Sequence, residues 1–319
     1  MSQPAYHLRP NKAVDRLALV DAIRCLEGLA ELAEYTYYTL GGPYLEDVRL
    51  LYEFFPQIGM VSLEREEAVL ERQKFHVPCS RVELKRADLK SFVARYDPKD
   101  MKSIFWLDYT GLEYGNFEDF MALLAKVAEN SMVKVTLRAE AGDYFDKPDE
   151  DVGQNAERFR RQFGAVLPTP TTDPPRGLVG FATLLQEMLQ IAAQNALPSA
   201  TGLMFQPVSS FCYSDGTGIM TLTGVICHRE KRATVRKAFA KWDLANLDWK
   251  PPRRIDVPVL STRERLQLQG SLPCGSGAGK TLRAVLGHLI EDSPKKTEKR
   301  LQQYADFHRY FPYFMKAIP

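Results

Sequence analysis

Three acidic side chains come directly after apolar, strand-forming runs of the sequence. They are Glu64, Asp88 and Asp108. The carboxyl ends of parallel strands share one edge of a sheet, which is where open α/β sheets bind ligands, so we expect these carboxylates to lie close together. A carboxylate at such an edge can receive a pair of ribose hydroxyls, accept from an adenine amino group, or take a proton from a reacting group.

Two glycines, Gly41 and Gly42, follow the first strand-forming run and precede Glu64 by about 20 residues, the separation at which a second-strand carboxylate receives a ribose. Glycines let a ligand approach the backbone closely. The helix predicted next begins with Glu46 and Asp47, which suit the helix dipole but would repel a pyrophosphate. This segment therefore favours a ligand with cationic groups over a dinucleotide.

The elements that must position these residues alternate along the chain. Strand and helix patterns follow one another from residue 35 to residue 138, which is typical of a parallel sheet covered by helices on both faces. Strand patterns over 202–213 and 219–228 are separated by a glycine-containing turn and predict an antiparallel hairpin. We predict a Rossmann-like α/β fold with a mostly parallel, seven-stranded sheet that ends in this hairpin.

The same patterns divide the sequence into three predicted parts. Residues 1–34 are an N-terminal helical segment. Residues 35–228 are the α/β domain, with a helical insertion at about 154–196. Residues 229–319 are a mostly helical extension, which we expect to pack on the core.

This order of elements resembles the class I S-adenosylmethionine-dependent methyltransferase superfamily, in which a late hairpin follows the strand–helix steps. The resemblance covers roughly residues 33–228. More narrowly, the chain looks like bacterial O-methyltransferases and three-Cys-motif partner proteins. The resemblance implies S-adenosylmethionine as the cofactor and the following cofactor-binding residues: Gly41, Gly42, Glu64, Asp88 and Leu89.

The resemblance also implies a place for the methyl acceptor. The superfamily contacts its substrates after the fourth strand, where this chain has Asp108 and Tyr109. We expect Asp108 to act as a base or to orient the acceptor, and Tyr109 to shape the pocket, for transfer to oxygen or nitrogen. No (N/D)PPY sequence stands there, which disfavours methylation of adenine in DNA.

The glycine segment departs from the family pattern and leaves a second interpretation open. The usual motif is an acid followed by GxGxG, whereas residues 39–43 read TLGGP. The fold could therefore serve as a catalytically eroded interaction module that binds a protein partner in a larger bacterial assembly. Each predicted site residue also has a structural interpretation: the glycines as a turn, and the acids as solvated or capping residues.

Other features suggest weaker alternatives. The basic C-terminal third, with Trp242 and Trp249, could bind nucleic acid if its basic runs converge. Residues 275–281 read GSGAGKT but depart from the phosphate-loop pattern, and a flexible linker is the simpler interpretation. Asp108 and Glu140 could imitate a magnesium site, but a solvated Glu140 is simpler, so we expect no metal.

Composition bounds these hypotheses. The 319 residues carry a formal net charge of +2, too mild to support or exclude a nucleic-acid partner. Five cysteines are scattered without CxxC pairs, which disfavours disulfides and zinc sites and favours a reducing compartment. No apolar run resembles a signal peptide or a membrane span. We therefore expect a cytoplasmic protein with no membrane partner.

Overall fold

The computed structural model describes most of the chain. The described residues are 9–98, 101–145, 152–168, 175–275 and 277–311. The middle of the predicted helical insertion, residues 169–174, lies outside them.

In the part of the chain that the structure describes, eight strands form one sheet. In chain order they are β1 Tyr35–Thr39, β2 Gly59–Glu64, β3 Val82–Arg86, β4 Lys102–Asp108, β5 Met132–Arg138, β6 Leu203–Ser214, β7 Gly218–His228 and β8 Arg253–Arg254. Their order across the sheet is β3-β2-β1-β4-β5-β7-β6-β8. Strands β1 to β5 pair in parallel, and β7 pairs with β5 in the antiparallel direction. The predicted α/β class and the late hairpin are confirmed; the two-residue β8 is one strand more than predicted.

Twelve α-helices accompany these strands in the described residues. They are α1 Pro10–Cys25, α2 Glu46–Phe54, α3 Glu67–His76, α4 Leu89–Arg95, α5 Tyr114–Leu124, α6 Gly142–Phe145, α7 Val152–Phe163, α8 Leu178–Ala196, α9 Arg232–Phe239, α10 Thr262–Gln269, α11 Ala278–Leu286 and α12 Pro294–Phe307. Across the described ranges, no helix combines the length and the apolar character that a membrane crossing requires.

The sequence patterns do not show helices α4 and α9, and they misplace the end of α11, for reasons of helix length and of backbone conformation. Helix α4 has seven residues and α9 has eight, too short for a clear amphipathic period. The sequence pattern predicts a helix over residues 278–291, but α11 ends at Leu286 because Gly287 adopts a left-handed conformation with φ 78° and so terminates the helix. Strand β5, in contrast, runs over Met132–Arg138 as the sequence pattern predicts, because its sequence MVKVTLR is rich in β-branched residues.

Side chains alternate between the two faces of the sheet. One face carries Phe105, Leu107 and Val135, which belong to a hydrophobic core shared with α4, α5, α7 and α8. Complete burial of one such side chain contributes about 1.5–3 kcal/mol. The other face presents buried polar groups to α2 and α3: Thr39 contacts α2, and Ser62 contacts α3. Helices therefore cover both faces, and the strand ends at one edge are left to form a site.

By internal contacts the chain divides into two compact units. The first consists of Met1–Ala18, Tyr213–Asp215 and Arg254–Pro319, and the second of Leu19–Cys212 and Gly216–Arg253. The second unit contains β1 to β5 and the helices that connect them. The three-part division of the sequence remains a prediction.

Candidate active site

An open cleft of about 440 Å³ lies at the carboxyl ends of β2, β3 and β4, within the second unit. Its volume falls in the range of small-molecule sites, about 300–1,000 Å³. The residues that line it are Leu40, Leu63, Glu64, Arg65, Ala87, Asp88, Leu89, Lys90, Asp108, Tyr109, Thr110, Gly111, Glu113, Asn116 and Asp119. Three separate strand ends thus meet in one cavity.

The cleft brings together most of the residues predicted from the sequence. Five of the seven line it: Glu64, Asp88, Leu89, Asp108 and Tyr109. The diglycine bend is placed differently. Gly41 and Gly42 are not among the lining residues, although Leu40, directly before them, is. The diglycine bend therefore lies beside the cleft, and Leu40, the residue before it, is the one that reaches the lining.

Glu64 is the last residue of β2 and is half-buried. Its Oε1 accepts a hydrogen bond of 2.8 Å from the backbone N–H of Glu66, which holds the carboxylate at the strand end. A carboxylate has about four lone-pair sites. Glu64 can therefore accept further hydrogen bonds from a ligand while this one is kept.

Asp88 caps helix α4. Its Oδ1 accepts from the backbone N–H of Ser91 at 2.9 Å, as an N-cap side chain does. Hydrogen bonds from the Ser91 side chain and backbone lower the pKa of Asp88, so its carboxylate stays ionised. The capping interpretation and the ligand-binding interpretation are both compatible with this geometry, since Asp88 also lines the cleft.

Asp108 ends β4, the strand beside β1. In the register between β4 and β5 it stands opposite Thr136, whose hydroxyl accepts a hydrogen bond of 2.8 Å from Trp106 Nε1. Buried Lys134 lies over the Trp106 ring, with its ammonium nitrogen 4.6 Å from the ring centroid. Asp108 therefore projects from a strand end that neighbouring side chains hold firmly.

Helix α5 supplies three polar lining residues that sequence reasoning missed: Glu113, Asn116 and Asp119. Glu113 and Asn116 form the capping box of this helix, in which the Glu113 N–H donates to Asn116 Oδ1 at 2.7 Å. The signal was present in the sequence, because polar residues spaced by three occupy one helix face. Phe117 and Phe120 occupy the buried face.

Asp119 is a carboxyl group of the cleft whose pKa is raised. Burial raises its pKa, while Lys90 and the Tyr109 hydroxyl lower it in part. Burial and the Asp119 carboxylate in turn raise the pKa of Tyr109 well above its usual value. These two side chains therefore form a partly desolvated corner of the open cleft.

The diglycine bend is fixed from the side of α3. Gln73 Nε2 donates to the carbonyl oxygen of Gly41 at 2.5 Å and to that of Gly42 at 3.4 Å. Ser62 Oγ donates to Gln73 Oε1 at 3.2 Å. A Cβ on Gly41 would lie 2.7 Å from Ser62 Oγ and 2.8 Å from Leu45 Cδ2, whereas one on Gly42 would meet nothing within 4 Å. Gly41 is thus required for packing, and Gly42 is open to an approaching group.

The bend is fixed from the side of α2 by Asp47. Its Oδ2 accepts from the Tyr37 hydroxyl at 2.6 Å and from the Thr39 hydroxyl at 2.7 Å. Burial, followed by the Asp47 charge, raises the pKa of Tyr37 well above its usual value. Asp47 therefore tethers the end of β1 to the first turn of α2.

The cleft carries more negative than positive side chains, which favours cationic ligands over anionic ones. Its lining contains five carboxylates and two cations: Glu64, Asp88, Asp108, Glu113 and Asp119 against Arg65 and Lys90. A pyrophosphate would be repelled by this excess of negative charge. S-adenosylmethionine carries a sulfonium and an amino group, and its adenine and ribose supply hydrogen-bond donors. The residues present fit such a ligand in volume, charge and donor–acceptor pattern.

The structure also places the residues of the weaker alternatives. Glu140 is not among the lining residues, and its Oε1 accepts from the Gly218 N–H. The described residues contain no group of three or more His, Cys, Asp or Glu able to hold a metal ion. Trp242 is buried and packs against Phe239, and Trp249 is half-buried and packs against Phe205.

The phosphate-loop-like segment, residues 275–281, belongs to the first unit. Packing within that unit explains its glycine at position 279. Ser276 lies outside the described residues. The Gly279 N–H donates to Gln302 Oε1 on α12 at 3.1 Å. A Cβ on Gly279 would collide with the backbone carbonyl of Glu298. This glycine is therefore needed for close contact between α11 and α12, and its N–H is not available to a phosphate.

Comparisons with known proteins identify the family. Residues 4–319, nearly the whole chain, match the family described as "Putative O-methyltransferase". No curated protein matches the chain. It is similar to the solved plantazolicin methyltransferase BamL, which was determined with a triazolic desmethylPZN analog and SAH. The two share 8% sequence identity, the match covers 67% of this chain and 85% of the other, and the TM-score is 0.42. It is also similar to a solved "putative O-methyltransferase" from Klebsiella pneumoniae. Here the sequence identity is 12%, the match covers 70% of this chain and 83% of the other, and the TM-score is 0.38.

The family match covers both units, and the chain has the alternating strands and helices and the late hairpin that the sequence patterns indicated. The chain therefore belongs to this family, which is described as "Putative O-methyltransferase".

Proposed function

We propose that this protein transfers the methyl group of S-adenosylmethionine to an oxygen of a small acceptor, or to a nitrogen, with the cofactor bound in the acidic cleft. One observation carries the proposal: the acids that end β2 and β4 and the acid that follows β3 line a single cavity. The excess of carboxylates in that cavity supports a cationic methyl donor.

Four residues hold the cofactor in this proposal. Glu64 accepts from the two ribose hydroxyls, and Asp88 accepts from the adenine amino group. Leu89 is buried beside Asp88 and packs against the purine. Gly42, whose Cα faces open space, allows the methionine part to approach the backbone. Gly41 keeps the bend tight, so its contribution is to position Gly42.

Asp108 and Tyr109 face the acceptor end in the same proposal. S-adenosylmethionine supplies a methyl group that an acceptor atom displaces in line from the sulfonium. An acceptor hydroxyl must lose its proton, and Asp108 is placed at the strand end to accept it or to orient that hydroxyl. Tyr109 is partly buried and forms the wall between the acceptor end of the cleft and α5. Positioning two reactants in this way can contribute about 7–11 kcal/mol to catalysis.

Cysteine chemistry supports a cytoplasmic location in this proposal. All five cysteines are free thiols, and burial raises the pKa of Cys25 and of Cys227 to about 11. Thiols with raised pKa values are poorly nucleophilic. We therefore assign packing roles to Cys25 and Cys227, and we propose that the protein works in a reducing compartment.

Titration calorimetry with S-adenosylmethionine and S-adenosylhomocysteine tests the proposal. We expect the wild-type protein to bind both ligands and Glu64→Gln to lose at least about tenfold in affinity, because a bond to a charged acceptor contributes about 1.5–3 kcal/mol. Glu53→Gln is the matched control, since Glu53 is exposed on α2 and does not line the cleft. Folded wild-type protein that binds neither ligand would refute the proposed function.

A further inference from the structure

A second cavity lies in the second unit and shares no lining residue with the cleft. Its volume is about 90 Å³. The residues that line it come from α8, from β6 and from two connecting segments, and they are Gln190, Ala193, Gln194, Leu197, Met204, Phe205, Arg229 and Trp249. The proposed methyl transfer uses none of them, so this cavity needs an explanation of its own.

Packing holds the apolar wall of the cavity in place. The Phe205 ring meets the Phe120 ring nearly at a right angle, with 5.6 Å between their centroids. It also contacts the Trp249 ring, with 6.0 Å between centroids. Gly224 lies directly against Phe205, because a Cβ on this glycine would collide with the ring. The wall is therefore formed before any ligand arrives.

Trp249 lines the cavity from a strained backbone conformation. Its φ of 55° lies in the left-handed region, which bulky residues rarely adopt and which costs about 1–3 kcal/mol. Gln186 holds this conformation, since its Nε2 donates to the carbonyl oxygens of Trp249 at 3.0 Å and of Lys250 at 3.1 Å. Strain that neighbouring residues enforce in this way is concentrated at binding sites.

Arg229 is the only charged residue of the lining. Within the described ranges it forms no ion pair, and its guanidinium makes one long hydrogen bond, from Nη2 to the Leu197 carbonyl oxygen at 3.5 Å. A guanidinium has five N–H donors, and two of them match the oxygens of a carboxylate. Arg229 is exposed, whereas Ala193 and Phe205 are buried. The positive charge therefore lies toward solvent and the apolar walls lie inside.

The volume limits the ligand to a few heavy atoms. An engineered cavity of about 150 Å³ holds benzene, so this smaller one suits an apolar group of about four carbons. Sites for larger molecules measure about 300–1,000 Å³, which excludes a ligand of cofactor size. The lining contains no Asp or Glu to neutralise an ammonium group. A carboxylate without an amino group therefore fits better than an amino acid.

We propose that this cavity binds a small branched aliphatic carboxylate. The Arg229 guanidinium holds the carboxylate, and the branched chain packs against Trp249 and Phe205. The amides of Gln190 and Gln194 leave the lining without negative charge. This site is separate from the acidic cleft, so the inference does not depend on the proposed function.

Calorimetric titration of the full chain at pH 8 with 3-methylbutanoate tests the proposal. We expect saturable binding with a Kd of about 1 mM or lower. Acetate lacks the branched chain and 3-methylbutanol lacks the charge, so each should bind at least about tenfold more weakly. Arg229→Gln should weaken 3-methylbutanoate binding by at least about tenfold. Arg161→Gln is the matched control, since Arg161 is exposed on α7 and lines neither cavity.

Ala193→Leu is the second variant and fills the cavity from its buried side. It should abolish binding in protein that thermal unfolding shows to be folded. Arg229→Gln decides the matter if Ala193→Leu does not fold, because Arg229 is exposed. Wild-type protein that does not bind 3-methylbutanoate saturably, or that binds acetate as tightly, overturns the inference. An affinity equal to that of wild type in Arg229→Gln or in folded Ala193→Leu overturns it too, and the proposed function stands in each case.

Discussion

At the scale of single residues, Asp88 combines two tasks in one carboxylate. It accepts from the Ser91 N–H at the first turn of α4, and it lines the cleft. A residue that follows a strand and precedes a helix is placed to do both, because the helix N-terminus and the sheet edge meet there. The two tasks can be separated by substitution.

Asp88→Ser keeps a capping oxygen and removes the charge, whereas Asp88→Ala removes both. We expect Asp88→Ala to lower the free energy of unfolding by about 1 kcal/mol and Asp88→Ser to change it by less than about 0.5 kcal/mol. Both should weaken cofactor binding alike. Urea denaturation and calorimetry measure the two effects. An Asp88→Ser variant with wild-type affinity would reduce Asp88 to a cap.

Asp119 predicts a pH dependence of stability. Its pKa is raised in the folded protein, mainly by burial, so the folded state binds more protons than the unfolded state between the ordinary and the raised value. The contribution of Asp119 to stability is therefore greatest below the ordinary aspartate pKa and is lost as pH rises through the raised value.

Asp119→Asn removes this dependence. We expect its unfolding free energy, relative to wild type, to increase from pH 3 to pH 7, as measured by urea denaturation at each pH. Glu118→Gln, on the exposed side of α5, serves as the control and should show no such trend. A difference between Asp119→Asn and wild type that does not change with pH would contradict the assignment.

At the scale of elements, the diglycine bend shows how a shortened glycine motif can still form a tight turn. The Gly41 carbonyl is held by Gln73 of α3, and the end of β1 is held by Asp47 of α2. The two helices thus fix the bend through buried hydrogen bonds rather than through additional glycines.

The two glycines of the bend should respond differently to substitution. Gly41→Ala places a Cβ 2.7 Å from Ser62 Oγ and should lower the free energy of unfolding by about 1–3 kcal/mol. Gly42→Ala meets no atom within 4 Å and should change stability by less than about 0.5 kcal/mol while weakening cofactor binding. Thermal unfolding and calorimetry distinguish the two. Equal stability losses would contradict this division of roles.

The pairing of α11 with α12 gives a prediction for the first unit. Gly279→Ala would force a Cβ into the backbone of α12 at Glu298, and we expect a loss of about 1–3 kcal/mol in unfolding free energy. Gly275→Ala is the control, since its Cβ would meet open space. Lys280→Ala, at an exposed position, should be neutral in stability and in nucleotide binding. A loss of ATP binding in Lys280→Ala would instead favour a phosphate loop.

At the scale of the whole molecule, strand patterns carried most of the information about the fold. β5 and the hairpin strands were predictable because β-branched and apolar residues dominate them and a glycine turn separates β6 from β7. Helices α4 and α9 were not, because one or two turns contain too few residues to show a period. The end of α11 depended on the conformation of Gly287, which its pattern did not reveal.

The candidate site was predictable where it follows strands and missed where it lies on a helix. Glu64, Asp88 and Asp108 follow from the rule that ligands bind beyond strand ends, whereas Asp119 belongs to a helix whose rotation about its axis fixes which side chains face the cleft. Gly41 and Gly42 lie beside the cavity, and Leu40 lines it in their place. Which of these three residues faces the cavity depends on the path of the backbone, which the sequence pattern does not show.

A crystal structure with bound S-adenosylhomocysteine tests the central claim most directly. We predict density for the ligand in the acidic cleft, with its ribose hydroxyls within hydrogen-bond distance of Glu64 and its adenine beside Asp88 and Leu89. Density for the ligand elsewhere on the protein, or a cleft that stays empty at saturating ligand, would contradict the account.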